Sequence, residues 1–451
     1  MKTGYIHRKS MNPCGLRFDS SYHLSDGVAV KRVIASSPYP LMPIEKAADR
    51  IFIGGRARRV YVKDREHGIP FLSSSDILQA DLEAVKLASK KYTPNVEDMK
   101  LQKGWTLITR SGTIGNCAFA NAKHAQKLAS EDVIRLVPNN ILREGYIYAY
   151  LASKQGYSLL TQGTFGAVIQ HIEPAYVASL PIPVAPESFQ QEVDDLIQES
   201  ARLREEAADA LQQAIQQVED IIPYPSKKNV GCVSSRTILS SHNRRFEANY
   251  HISEGHDIEK YIYKNFKWKP LGQVCEDISR PDIFKRFYVQ NGIVFLGGAD
   301  IFLASPDSKK QLSKTKTTNI SSLAIKENTI LIPRSGTIGN VAWAHAGHAQ
   351  KLASEDVIRL QPNDILRGGY IYAFLSSSIG KALIQKHIFG SVIQHIEPPH
   401  LKLIPIPVIE DSIIDNIHKL VIEYSKKVGK AIENERQAIS MIEQEIESWT
   451  K

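Results

Sequence analysis

What this chain of 451 residues lacks narrows its chemistry first. Cysteine is scarce: Cys14, Cys117, Cys232 and Cys275 stand far apart with no C-x-x-C pair, which argues against a disulfide framework or a zinc site. No apolar run approaches the ~20 residues needed to cross a bilayer. The opening MKTGYIHRKSMNPCG has no apolar core of the kind a secretory signal carries. The expectation is a cytoplasmic protein with no membrane partner. Catalytic signatures are missing as well. There is no D/N-P-P-Y/F tetrapeptide, and FIGGRA and FLGGAD are too short for a G-x-G-x-x-G cofactor loop. His171 and Glu173, mirrored by His395 and Glu397, have no nucleophile or metal cluster with them, so an acid–base reading has no support.

What the chain does have, it has twice. From Arg110 to Val184 it reads RSGTIGN, HAQKLASEDVIRL, GYIYA, VIQHIEP and PIPV, and the same phrases return in the same order from Arg334 to Val408. The offset is a constant 224 residues, and about two thirds of the paired positions are identical. Solenoid units run to roughly 20–50 residues, so this period is that of a domain with its connector. Upstream, RFDSSYHLSDG (Arg17 to Gly27) answers RFEANYHISEG (Arg245 to Gly255) at an offset of 228.

Two zones compared at these offsets read as rewritten: Pro43–Gly68 against Leu271–Gly292, and Leu82–Gly104 against Ser305–Asn328. Both are rich in bases and hydrogen-bonding side chains. One scaffold with two rewritten surfaces points to two different ligands of one chemical kind.

Within a repeat, WTLITRSG, TILIPRSG and DVIRL read as strands, the first two breaking at Ser-Gly. GYIYAYLASKQGYSLLTQ places Ile147, Tyr150, Leu151 and Leu159 at helical spacing. LPIPV is an extended exit, because each proline pushes its predecessor out of the α region. The expected unit is α+β.

The connectors are different. Glu187 to Ile222 contains no Gly or Pro, and apolar residues recur at Phe189, Val193, Leu196, Leu203, Ala207, Leu211, Ile215, Val218 and Ile222. That is a heptad seam interrupted at Ser200. A second seam runs through Ile413, Ile417, Leu420, Tyr424, Val428, Ile432, Ile439, Ile442, Ile446 and Trp449. Two such stripes pair with each other naturally, so an antiparallel coiled coil is expected. The net charge is +8, but residues 187–222 carry −8 and residues 410–451 carry −3, leaving +19 on the globular parts. A basic excess confined there is the footprint of a polyanion binder.

Domain, long helix, domain, long helix, with RFDSSYH or RFEANYH, SGTIGN, LASEDVIRL and FGAVIQHIEP or FGSVIQHIEP in each domain: this resembles the specificity subunit of type I restriction–modification systems. Where that family often carries a PLPPLxEQ-like run before its helix, this chain has PIPVAPESFQQE and PIPVIEDSI. The resemblance implies two target-recognition domains, 1–186 and 226–409, with helical segments at 187–225 and 410–451. It implies a subunit without catalysis or cofactor of its own, each domain reading half of a bipartite target in double-stranded DNA. The helices act as a ruler and as the docking surface for two adenine methyltransferase subunits. S-adenosylmethionine, ATP and Mg belong to those partners and to a motor–nuclease subunit.

Candidate DNA contacts follow from charge and position. They are Arg56, Arg58, Arg59 and Lys63 in the first domain, and Arg280, Lys285, Arg286, Lys309, Lys310 and Lys314 in the second. Each stands open as a base contact, a phosphate contact or a solvated charge. Arg110, Ser111 and Thr113, with Arg334, Ser335 and Thr337, form turns that offer backbone N–H groups to a phosphate or simply satisfy the glycine geometry. Lys127 and Lys351 recur identically, as do Gln170, Gln394, His171 and His395, which suits scaffold or backbone contacts better than sequence choice. The competing readings are a coiled-coil adaptor with protein-binding ends and a nonspecific DNA architectural protein.

Overall fold

The computed structural model describes residues 4–5, 17, 19–56, 58–165, 170–223, 231–241 and 244–449. Cys14 and the Gly166–Ile169 stretch of the first FGAVIQH phrase lie outside them. Two compact units emerge. Residues 1–205 with 430–451 make the first, and 206–429 the second.

In the first unit a four-stranded antiparallel sheet runs in the order Ala48–Ile53, Val133–Pro138, Thr106–Thr109, Cys117–Phe119. A second sheet orders Tyr61–Val62, Leu87–Ser89, Gly68–Leu72 and Leu128–Ala129, the last two strands parallel. One face of the first sheet meets the helices Asp26–Ala35, Glu144–Ala152 and Lys154–Gln162 in one core with Ile34, Ile134, Leu136, Ile147 and Leu159. The second unit repeats this sheet order with Cys275–Ser279, Val357–Pro362, Ile330–Pro333 and Ala342–Trp343, and with Tyr288–Val289, Gln311–Leu312, Ile293–Leu296 and Leu352–Ala353. The expected strands at WTLITR, TILIPR and DVIRL are all present.

Two local expectations change. GYIYAYLASKQGYSLLTQ forms two helices, because Ser153 adopts an extended ψ of 162° and caps the second by accepting the Gly156 N–H at 3.1 Å. Only glycine fits there, since a Cβ on Gly156 would lie 2.1 Å from the Tyr150 carbonyl oxygen. PIPV is more than an exit: Pro181–Pro183 pairs antiparallel with Leu41–Pro43, and Pro405–Val408 with Lys267–Pro270.

The long helices span Glu187–Ile221 and Asp411–Ser448. Inside the first unit, Val193 and Ile197 pack in one core with Ala438, Ile442 and Ile446. Inside the second, Lys427 pairs with Glu206 at 2.8 Å and Asn416 with Gln217 at 3.0 Å, a falling number against a rising one, as antiparallel helices require. The seam differs in detail from its expected line. Ser200 does not interrupt it but sits inside, buried, with Oγ donating to the Ala431 carbonyl at 2.8 Å. Ile197, Ala201, Ala210 and Ala214 are buried, whereas Leu196, Leu211 and Ile215 remain partly exposed. Small residues allow the close approach that larger ones on the flank then cover. Among the described residues no helix is long and apolar enough to cross a membrane.

Candidate nucleic-acid interface

Several turns gather in the first unit around the Ser-Gly turn that ends Thr106–Thr109. The Arg110 N–H donates to the Asp132 carbonyl at 2.8 Å, the Ser130 N–H to the Leu72 carbonyl at 2.9 Å, and the Ile172 N–H to the Arg110 carbonyl at 3.2 Å. The second unit repeats all three, Arg334 to Asp356 at 2.7 Å, Ser354 to Leu296 at 2.9 Å and Ile396 to Arg334 at 3.0 Å. Gly112 and Gly336 take left-handed φ values of 74° and 78°, and a Cβ on Gly336 would meet nothing within 4 Å. Thr113 and Thr337 are exposed beside them, and Ser111 and Ser335 partly so.

Glutamates shared by the repeats hold the arginines here. Arg110 pairs with Glu173 at 2.6 Å. Arg334 pairs with Glu397 at 2.7 Å and Asp356 at 3.3 Å, and Arg280 joins the same Glu397 at 2.8 Å. Burial alone would raise the Glu397 pKa, but the two guanidiniums outweigh it and hold the carboxyl below its ordinary range. These pairs answer the acid–base question: Glu173 and Glu397 are bound up in ion pairs.

One expectation is corrected by strand register. Ile51 pairs with Leu136 and Ile278 with Leu360, so the first strands correspond at an offset of 227 residues, not 224 or 228. At that offset RRVYV (Arg58–Val62) aligns with KRFYV (Lys285–Val289), and the copies regain their 224 offset through three extra residues before Gly68. This zone is therefore not wholly rewritten. Arg59 binds Glu131 at 3.1 Å and lies over the Phe71 ring at 5.6 Å; Arg286 binds Glu355 at 2.7 Å and lies over Phe295 at 5.2 Å. They are the same arginine twice. Burial works against the Arg59 charge, yet the Glu131 hydrogen bond keeps its pKa above the ordinary value; for Arg286 the Glu355 hydrogen bond is the leading cause of the same rise.

The second zone keeps its backbone too. Asn95 and Asn319 share a left-handed conformation, φ 51° and 55°, and each precedes a one-turn helix, Val96–Met99 and Ile320–Leu323. At the 224 offset, Lys310 and Lys314 stand where the first copy has Lys86 and Lys90, while Lys309 stands against Val85. Lys63 falls in the stretch with three extra residues, next to an exposed Asp64–Glu66–His67 cluster. Lys127 is buried, its Nζ on Glu83 at 2.7 Å and on the Lys123 carbonyl; Lys351 gives its Nζ to the Pro306 carbonyl. The Lys127 turn also packs on the long helix, the Ala122 N–H donating to Glu205 at 2.8 Å. Arg56 and Arg58 are exposed, and neither has a partner among the described residues.

Sequence reading missed the arginines in LASEDVIRL. Arg135 is fully buried and donates to the Ala129, Ser130, Val133 and Met99 carbonyls, and Arg359 does the same for Ala353, Val357 and Leu323. Burial pulls both pKa values down to about 10, which leaves them charged at neutral pH. Arg17 and Arg245 are equally structural, each reaching a carbonyl just beyond the helix pair, Thr164 and Ile388, both at 2.7 Å.

A family model described as the type I restriction modification DNA specificity domain matches residues 54–207 and again 263–444. No curated protein sequence matches. Among solved structures, the type I restriction–modification S subunit of M. genitalium is 13% identical, with a TM-score of 0.34, over 91% of this chain and 96% of that one. The HsdS subunit of Thermoanaerobacter tengcongensis gives 13%, 0.30, 90% and 96%. A chain from a structure titled for complex assembly and conformational transition of the type I R-M system gives 14%, 0.28, 91% and 98%. On the family model, which covers most of both halves, the chain belongs to the type I restriction–modification DNA specificity family, a family of recognition domains.

Proposed function

We propose that the chain is the non-catalytic subunit that reads a bipartite double-stranded DNA target for a type I restriction–modification complex. The observation that carries this is the doubled cluster of arginine-bearing turns, one in each repeat of a specificity domain, on globular parts that hold the whole positive excess. As functional segments we propose recognition domains at 1–186 and 226–409 and helical segments at 187–225 and 410–451. The acidic, exposed faces of the helices dock two methyltransferase subunits, and through them the motor–nuclease. S-adenosylmethionine, ATP and Mg act in those partners, and the chain works in the cytoplasm.

The register sorts the DNA contacts. Arg59, Arg286, Arg110 and Arg334, with Ser111, Thr113, Ser335 and Thr337, recur in both domains and suit phosphates, which are the same at every site. Lys310 and Lys314 suit the same role. Lys127 and Lys351 serve the scaffold. The test is binding of the chain, co-purified with its methyltransferase partner, to duplex DNA over a salt series. Neutralised phosphates make log K fall steeply with log salt. A salt-independent affinity, or none, would instead support a protein-binding adaptor.

A further inference from the structure

The segments from the paired Ile51 and Ile278 to the repeated arginine are equal in length and differ in chemistry. At the 227 offset, Ile53-Gly54-Gly55-Arg56-Ala57-Arg58 faces Arg280-Pro281-Asp282-Ile283-Phe284-Lys285. Both ends are fixed in the same way. On one side lies the pairing of Ile51 with Leu136 and of Ile278 with Leu360; on the other, Arg59 on Glu131 and Arg286 on Glu355. Between these anchors an exposed arginine, Arg56, stands where the second domain exposes Ile283, and Ile53 stands where it has Arg280. Ala57 lies outside the described residues.

Three properties single out this loop. Arg56 has no partner among the described residues, so no ion pair needs to break before it reaches a ligand. Arg280 is held by Glu397, the glutamate that also holds Arg334, which puts this loop beside the Ser-Gly turn. Most other basic candidates have basic counterparts in the opposite repeat and so cannot tell two half-sites apart. An arginine fork matches the O6 and N7 acceptors of guanine, whereas an aliphatic side chain suits the thymine methyl.

We propose that Gly54, Gly55, Arg56 and Arg58 in the first domain, and residues 280–285 in the second, belong to the base-reading element of each. Arg56 takes a guanine edge in one half-site, whereas Arg280, held by Glu397, positions the loop of the other. Ile283 packs on a thymine methyl, and Arg59 and Arg286 clamp the loops from the scaffold side. The proposal rests on the DNA-reading function above.

The test uses the chain with its methyltransferase partner and the duplex that the wild-type complex modifies, together with every single-base variant of that duplex. Arg56→Ile should weaken native binding roughly 10- to 100-fold and relax preference at one base pair of one half, leaving the other half unchanged. Ile283→Arg should change preference in the opposite half only. Arg59→Lys is the contrast, with loss spread over all sequences. Thermal melting of Arg56→Ile should equal wild type, because the exposed side chain has no partner among the described residues. Unchanged preference, or a uniform loss with the salt slope reduced by about one, would overturn the assignment, since that is the signature of a phosphate contact. A wild-type complex without any sequence preference would overturn the functional reading instead.

Discussion

Arg135 and Arg359 show why a basic residue in a DNA-associated family need not touch DNA. Each closes its strand-to-turn junction by donating to three or four backbone carbonyls. Arg135→Met takes a four-bond donor away from buried carbonyls, at a cost of about 3 kcal/mol or more. Thermal unfolding of the first unit should then fall by roughly 6–12 °C, while Arg58→Met should leave it unmoved. Histidines give a second test. His124 and His348 occupy equivalent turns, and burial depresses each to about 4, so the folded state keeps them neutral. The unfolded chain binds protons near its ordinary pKa of about 6.5, so stability is complete above that value and is lost as pH falls toward 4. Melting temperature should drop between pH 7 and 5, and His348→Gln should flatten the slope. A slope that His348→Gln leaves unchanged would remove the histidine from that account. These residues were hard to read because recurrence marks scaffold and contact alike. Arg110 is buried too and donates to the Ile172 carbonyl and to Glu173, where Arg135 donates to carbonyls alone.

Among the elements, the strands were legible from β-prone runs ending at Ser-Gly, and the long helices from apolar spacing in a stretch free of Gly and Pro. The helix break at Ser153 carried a signal that went unused, a serine three residues before a glycine, repeated at Ser377 and Gly380. Hydropathy also hides a polar layer in the seam. Arg204 pairs with Glu435 at 2.8 Å, and the Tyr148 hydroxyl donates to the same glutamate at 2.5 Å, all three largely buried. At the 224 offset those helix positions are Val428 and Leu211, an apolar pair. Glu435→Leu alone takes the carboxylate away from a buried guanidinium and a phenol and should cost about 3 kcal/mol in thermal or urea unfolding. Adding Arg204→Val should recover most of it, since the second copy carries apolar residues at both positions. A double variant as unstable as the single would show that the pair adds net stability rather than replacing an apolar contact.

For the molecule as a whole, duplication was the most legible feature, and it misled in one place. Compared at fixed offsets, residues 43–68 looked rewritten, because three extra residues before Gly68 hide RRVYV behind KRFYV. Strand register restored the match at RRVYV and showed that the segment just before it is one of the places where the copies differ at equal length. The central claim is that two such domains in one chain direct modification to one interrupted target. It is tested most directly by mapping N6-methyladenine across the native genome with and without this gene. The account predicts that methylation disappears at a single two-part motif and stays elsewhere. Methylation unchanged in the absence of the gene, with the partner methyltransferase expressed and active, would contradict it.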